Sequence, residues 1–176
     1  MEKAKLPKRK PTRLQGFDYN SGGAYFLTVC TKNRQPILSA VVGRDVHDAP
    51  QVELSPFGKV VKQQLLEMDA VYENITVDAF AVMPDHVHIL LRVEENPDGF
   101  CGASRTSRPT RQHAAVSRFV STFKRFCNKK YGENIWQDHF NDHIIRSRED
   151  YDKHWQYIDE NPLRSQLHKH QPTHNK

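Results

Sequence analysis

The stretch ITVDAFAVMPDHVHILLRV, residues 75 to 93, limits the possible folds of this chain more than any other. Two apolar runs rich in β-formers, 75 to 82 and 86 to 93, flank Met83-Pro84-Asp85, where proline presets φ and aspartate can bond its own backbone in a turn. The pattern predicts an antiparallel hairpin. Side chains alternate along a strand, so Val87, Ile89, Leu91 and Val93 share one face, and His86, His88, Leu90 and Arg92 share the other. The first set is a core face. On the second, two imidazoles at i and i+2 lie close enough to bind one cation, each keeping a ring nitrogen for an outer partner. A pair of half-exposed histidines satisfied by hydrogen bonds is the alternative, and His-x-His alone does not decide between them.

The rest of the chain supplies elements around this hairpin. GGAYFLTVCTKNRQP places a strand at 25 to 31, before a turn at Asn33-Arg34-Gln35-Pro36. In SPFGKVVKQQLLEMDAVYEN, Ser55 is the N-cap and Pro56 the first helical residue. Val60, Val61, Leu65, Leu66 and Met68 then recur at helical spacing. A second amphipathic helix, 113 to 131, gathers Val116, Phe119, Val120, Phe123 and Cys127 on one face, and Arg118, Lys124, Arg125, Lys129 and Lys130 lie elsewhere on it. NIWQDHFNDHIIR reads as an irregular segment feeding a short strand. SREDYDKHWQYIDENP opens a last helix, with Ser147 and Asp150 at the spacing of a capping box and a stop expected before Pro162. The order strand, helix, hairpin, helix, strand, helix predicts an α+β fold. Its simplest form is a ferredoxin-like plait, an antiparallel sheet with helices on one face and the active site on the other side.

In the last helix Tyr151, Trp155 and Ile158 form the expected apolar stripe, and Tyr157 falls roughly 120° from its centre with Asn161 one turn beyond. A tyrosine hydroxyl followed at i+4 by an amide can serve as a nucleophile beside a metal ligand; it can equally be a flanking aromatic before a helix end.

Charge and cysteine content narrow the setting. The 26 Lys and Arg against 21 Asp and Glu leave a net charge of +5, compatible with a polyanion partner. Cys30, Cys101 and Cys127 are too few and scattered for a disulfide framework, which favours a reducing, cytoplasmic setting. No apolar run reaches the roughly 20 residues of a membrane span. The basic, proline-interrupted residues 1–14 read as a mobile arm. The 95–112 segment reads as a flexible loop carrying Arg105, Arg108 and Arg111, and residues 164–176 as a disordered tail.

VMPDHVHILL followed by NIWQDHFNDHIIRSREDYDKHWQYIDENP resembles the single-tyrosine HUH transposases (the IS200-like family), specifically their REP-associated tyrosine branch, over roughly residues 15 to 163. The resemblance implies metal-dependent cleavage and transfer of single-stranded or hairpin DNA through a 5′-phosphotyrosine intermediate. Tyr157 would be the nucleophile, and His86, His88 and Asn161 would hold Mg²⁺ or Mn²⁺, with no nucleotide cofactor. Phenols ionise near pH 10, so the nucleophile needs a base, which the sequence does not name. Arg105, Arg108, Arg111, Lys124, Arg125, Lys129 and Lys130, with His143 and Arg146 of the DHIIR stretch, are the expected DNA contacts, and Phe17, Tyr19 or Tyr25 can stack on unpaired bases. For His143 and Arg146 a structural or phosphate-contact role is favoured over metal ligation. The expected partner is a palindromic repeat or element end, with the protein a monomer or homodimer. Two other readings stay open: a non-catalytic DNA-binding module of the same fold, and a phosphohydrolase in which metal-activated water attacks.

Overall fold

The computed structural model describes residues 22–42, 51–94 and 115–169, with side chains as far as Asn161 in the last helix. The expected arm, the 95–112 loop with its three arginines, Phe17 and Tyr19 lie outside the described residues. Strands β1 (Gly23–Cys30), β2 (Ser39–Val42) and β3 (Gln51–Leu54) precede helix α1 (Pro56–Glu67). Then come β4 (Ile75–Val82), β5 (His86–Val93), α2 (Ala115–Tyr131), β6 (Asn141–Ile145) and α3 (Arg148–Lys169). The main sheet runs β4-β5-β1-β6 with every neighbouring pair antiparallel. Taken as β1-α1-β4-β5-α2-β6, that order is the ferredoxin-like plait. The β2–β3 ribbon is inserted after β1 and was not expected; each of its strands has four residues, too few for a clear alternating pattern.

One face of the sheet is covered as the hairpin pattern required. Val87, Ile89, Leu91 and Val93 join Tyr25, Leu27 and Val29 of β1 in a single core with Val61 and Leu65 of α1 and with Val116, Phe119, Val120, Phe123 and Cys127 of α2. Tyr25 is fully buried there, which removes it as a base-stacking residue. Leu66, expected on the apolar face of α1, points outward and is 56% exposed. The start of α1 forms as its sequence dictates: the backbone N–H of Gly58 donates to Ser55 Oγ at 2.9 Å, and that hydroxyl donates to the Ile37 carbonyl at 2.7 Å.

α3 lies on the opposite face, so the plait is covered on both sides, and its buried stripe differs from the expected one. Along it, Tyr151, His154, Tyr157, Ile158 and Asn161 are buried or half-buried, and Trp155 is 46% exposed. The spacing is helical, but the face it meets carries His88, Phe26 and Asp78, so the stripe selects hydrogen-bonding aromatics over aliphatic bulk. Half of the expected capping box forms. The Asp150 N–H donates to Ser147 Oγ at 3.1 Å, but the Asp150 carboxylate accepts from the Arg146 N–H, not from that of Ser147. The helix also does not stop before Pro162: its bounds run to Lys169, so residues 164–169 of the expected tail are helical, although an interior proline forfeits one i→i−4 bond, and residues 170–176 lie outside the described residues.

Asp78 anchors α3 to the sheet. It sits at the register shift between Val77 and Ala79 in β4, where its carboxylate accepts from Tyr151 Oη at 2.9 Å and from Arg92 at 3.0 Å. Burial first, then this hydrogen bond, push the Tyr151 hydroxyl above its ordinary pKa. Asp78→Ala removes both acceptors beneath the helix and is expected to cost about 1–3 kcal/mol in denaturant unfolding. Hydrogen exchange should accelerate in the first turns of α3 ahead of α2.

Candidate active site

β1 is one of the two inner strands, and its register with the other, β5, sets Thr28 opposite His88 and Cys30 opposite His86. Its register with β6 sets Phe26 opposite His143. These side chains share the face on which α3 lies. The backbone of Asp85 holds the hairpin turn in place, its carbonyl accepting from the Thr31 N–H at 2.9 Å and from Thr31 Oγ1 at 3.0 Å.

The two imidazoles converge. His86 Nε2 and His88 Nε2 are 3.1 Å apart, and the other ring nitrogens are both engaged: His86 Nδ1 lies 2.6 Å from Asp85 Oδ1, and His88 Nδ1 lies 3.0 Å from Thr28 Oγ1. Donation from His86 Nδ1–H to the carboxylate leaves a lone pair on its Nε2. The Thr28 hydroxyl can either donate to or accept from His88, and so it suits either tautomer of that ring. When it accepts, both Nε2 lone pairs face one point. Two ligand atoms about 2.1 Å from an ion are about 3.0 Å apart at right angles and about 3.4 Å apart in a tetrahedron, so the observed spacing suits one cation.

The electrostatics of His88 agree with a ligand-ready imidazole. Burial, ahead of repulsion from His86 and Arg34, pushes His88 down to about 3, so this ring is neutral at physiological pH. For Asp85 burial opposes ionisation, but the hydrogen bond and charge of His86, together with Arg34, outweigh it and hold the carboxyl below its usual range. Arg34, in a left-handed turn with Asn33, pairs with Asp85 at 3.3 Å and remains half exposed beside the histidines.

α3 brings Tyr157 to the same place. Its ring centroid is 5.2 Å from that of His88, edge-on, and 5.8 Å from Phe26. Phe26 in turn stacks on His88 at 5.0 Å. Asn161, one turn further along the stripe, is 5% exposed, and its Nδ2 has no hydrogen-bond partner. The orphaned atom is a donor, so it would meet an oxygen acceptor, and only the amide oxygen of Asn161 could ligate a cation. His86, His88 and Tyr157 thus meet on the sheet face that α3 covers, and the spacing of the two imidazoles fits a divalent cation.

The other expected contacts are distributed. α2 packs on the aliphatic face, so Lys124, Arg125, Lys129 and Lys130 stand across the sheet from the histidines. Lys124 Nζ donates to the carbonyls of Gln137, Asp138 and His139 at 2.6–3.3 Å, a structural clamp, and burial lowers its pKa. Arg125 lies over the ring of Phe126 at 5.4 Å. Arg146 lines a cavity of about 530 Å³ with Arg92, Arg148 and Tyr151 at the Gly23 end of the sheet.

His143 belongs to a second cluster. Its Nε2 lies 3.0 Å from Asp150 Oδ2, and the His154 ring stacks on it at 4.7 Å. Burial disfavours the charged form of Asp150, but hydrogen bonds from His143 and the Arg146 N–H outweigh it and lower its pKa. Sequence reading missed Thr28, Asp85, Arg34, Asp150 and His154 as site residues. Asp85 stands beside the motif and was legible as a partner; Thr28 and His154 become neighbours only through strand register and helix docking.

No family model matches the chain. An uncharacterized protein of Haemophilus influenzae is 28% identical over 170 residues, covering 91% of each chain. The REP-associated tyrosine transposase of Escherichia coli strain K12 is 28% identical over 146 residues, 83% of this chain and 70% of that one. A solved structure of a REP-associated tyrosine transposase bound to a REP hairpin has the same fold, with a TM-score of 0.57 at 21% identity, over 82% of this chain and 69% of that chain. No helix among the described residues is long and apolar enough to cross a membrane.

Proposed function

We propose that this chain, 28% identical to a REP-associated tyrosine transposase, cleaves and rejoins one strand of hairpin-bearing, single-stranded DNA with Tyr157 as nucleophile. The observation that carries the reading is the 3.1 Å convergence of His86 Nε2 and His88 Nε2 beneath the edge-on ring of Tyr157. His86, His88 and Asn161 are the residues to hold a divalent cation. When bound, such an ion offsets charge on a phosphodiester's non-bridging oxygens and aligns phosphorus for in-line displacement.

Everything else in the reaction falls to the chain. Asp85 and Thr28 orient the imidazoles, and Phe26 packs against both His88 and Tyr157, with ring centroids 5.0 and 5.8 Å away. Tyr157 Oη loses its proton and forms a bond to phosphorus as the bond to the 3′ oxygen breaks. The products are a 5′-phosphotyrosyl link and a free 3′-hydroxyl. Attack by a 3′-hydroxyl on that link restores a phosphodiester and the phenol, so rejoining needs no nucleotide. Arg34, half exposed and paired with Asp85, would meet a neighbouring phosphate, and Arg146 and Arg148 would contact more distant nucleotides.

The test is incubation with end-labelled hairpin oligonucleotides and Mn²⁺, followed by a denaturing gel. A slow-migrating protein–DNA adduct that disappears on chelation is expected. Binding without adduct or cleavage across many hairpins would leave a DNA-binding module, and cleavage without adduct would indicate attack by water.

A further inference from the structure

The cluster at the junction of β6 and α3 has no part in the reaction just described. We propose that His143, Asp150 and His154 form a second metal site, taking a borderline transition ion such as Zn²⁺ or Co²⁺ and clipping the start of α3 to the sheet. The three residues each place one ligand atom so that all lie within 4.8 Å of one another. Two imidazoles and one carboxylate are a donor set that favours these ions over Mg²⁺ or Ca²⁺, and three protein ligands leave a coordination position for water.

The frame is built by both elements. His143 is held on β6 by pairing opposite Phe26, and Asp150 and His154 stand one turn apart on α3. The Phe26 ring packs on His154 at 4.6 Å and fixes the imidazole's plane. Without an ion, the Asp150 carboxylate bridges the two rings, 3.0 Å from His143 Nε2 and 3.3 Å from His154 Nδ1. His154 Nδ1 also lies 2.8 Å from the Asp150 carbonyl, a contact it must give up to bind an ion. The Arg146 N–H donates to Asp150 Oδ2 at 3.3 Å, which steadies the carboxylate from outside. His143 is about half exposed, its side chain at 52%, so an ion has an open way in.

A surface ion pair explains one histidine beside Asp150. Here the same carboxylate meets a second imidazole, stacked 4.7 Å from the first and 23° from parallel, which brings three metal-ligating side chains together. One divalent ion satisfies all three groups at once. Tyr157 follows His154 by three residues, so an ion here would stiffen the helix turn that carries the nucleophile without touching it.

The test uses the full chain carrying His86→Ala, His88→Ala, His168→Ala, His170→Ala and His174→Ala, which removes the other histidines that lie close together in sequence. Co²⁺ is titrated alone and followed by its visible d–d bands. One equivalent should bind, and saturation with Zn²⁺ at a hundredfold excess over Kd should raise the unfolding midpoint by about 5–10 °C. Adding His143→Ala or His154→Ala should weaken binding at least tenfold and remove the shift. Unchanged binding after either substitution, or no binding in the starting variant, overturns the site. Should a substitution unfold the chain, long-range ¹H–¹⁵N imidazole spectra of the wild type decide. Shifts of His143 and His154 with substoichiometric Zn²⁺ support the site, and shifts confined to other histidines refute it. Neither readout involves DNA or Tyr157, so the outcome stands apart from that of the strand-transfer assay.

Discussion

Tyr157→Phe is expected to leave the protein folded, hairpin binding nearly intact and strand cleavage reduced by a factor on the order of 10³ or more, with no covalent adduct at any DNA concentration. The substitution removes one oxygen. The ring keeps its edge-on contacts with His88 and Phe26, so the packing that positions α3 survives and the loss reports on chemistry, not on folding. A fall that large follows from the proposed mechanism, in which the hydroxyl oxygen makes the bond to phosphorus, and water in its place would be neither oriented by α3 nor retained for rejoining. Cleavage in the mutant within tenfold of wild type would sink the tyrosine mechanism and leave the metal-water hydrolase. Gel-resolved adduct, single-turnover cleavage and a binding isotherm on the same preparation separate the outcomes.

Gly58→Ala is expected to destabilise the fold by about 3 kcal/mol or more, beyond the usual cost of overpacking, and to lower yields of soluble protein. A Cβ at this position would lie 1.9 Å from the Leu38 carbonyl oxygen and 3.0 Å from its carbon. That oxygen cannot step aside cheaply, since it accepts the Ser55 N–H at 3.0 Å, and the Ser55 hydroxyl caps the same turn. Pushing Leu38 away therefore disturbs both the entry to α1 and the segment leading into β2. In an exposed helix the same exchange would stabilise by up to about 1 kcal/mol, so the sign of the change is itself diagnostic. Urea unfolding of both proteins measures it, and a stabilised variant would show that this turn is looser than its contacts require.

Much of this was legible one element at a time. The hairpin, the cap of α1 and the apolar stripe of α2 were read from local patterns because each has a regular period or a capping residue beside it. Where reading failed, the cause was the partner surface. Of the expected stripe of α3, Tyr151 and Ile158 do face the sheet, but Trp155 was added to it because aromatic content was taken as the mark of burial. The face that receives α3 instead bears Asp78, Phe26 and His88, and it turns Trp155 out to solvent. The β2–β3 ribbon went unseen because four-residue strands carry little periodic signal.

By itself the sequence determined that 75 to 93 pairs as a hairpin, that one side of it is core, and that His86 and His88 share the other, because strand alternation is a local property of the backbone. Only the tertiary structure decided what those histidines meet. Thr28 reaches His88 from a residue 60 positions away, and Phe26 and Tyr157 come from an inner strand and the last helix. The same holds for the His143, Asp150 and His154 cluster, whose members are separated in sequence by 7 and 4 positions but gathered by the turn from β6 into α3. A ligand set is a set of distances between side chains on different elements, and those distances exist only once register and helix docking have been chosen.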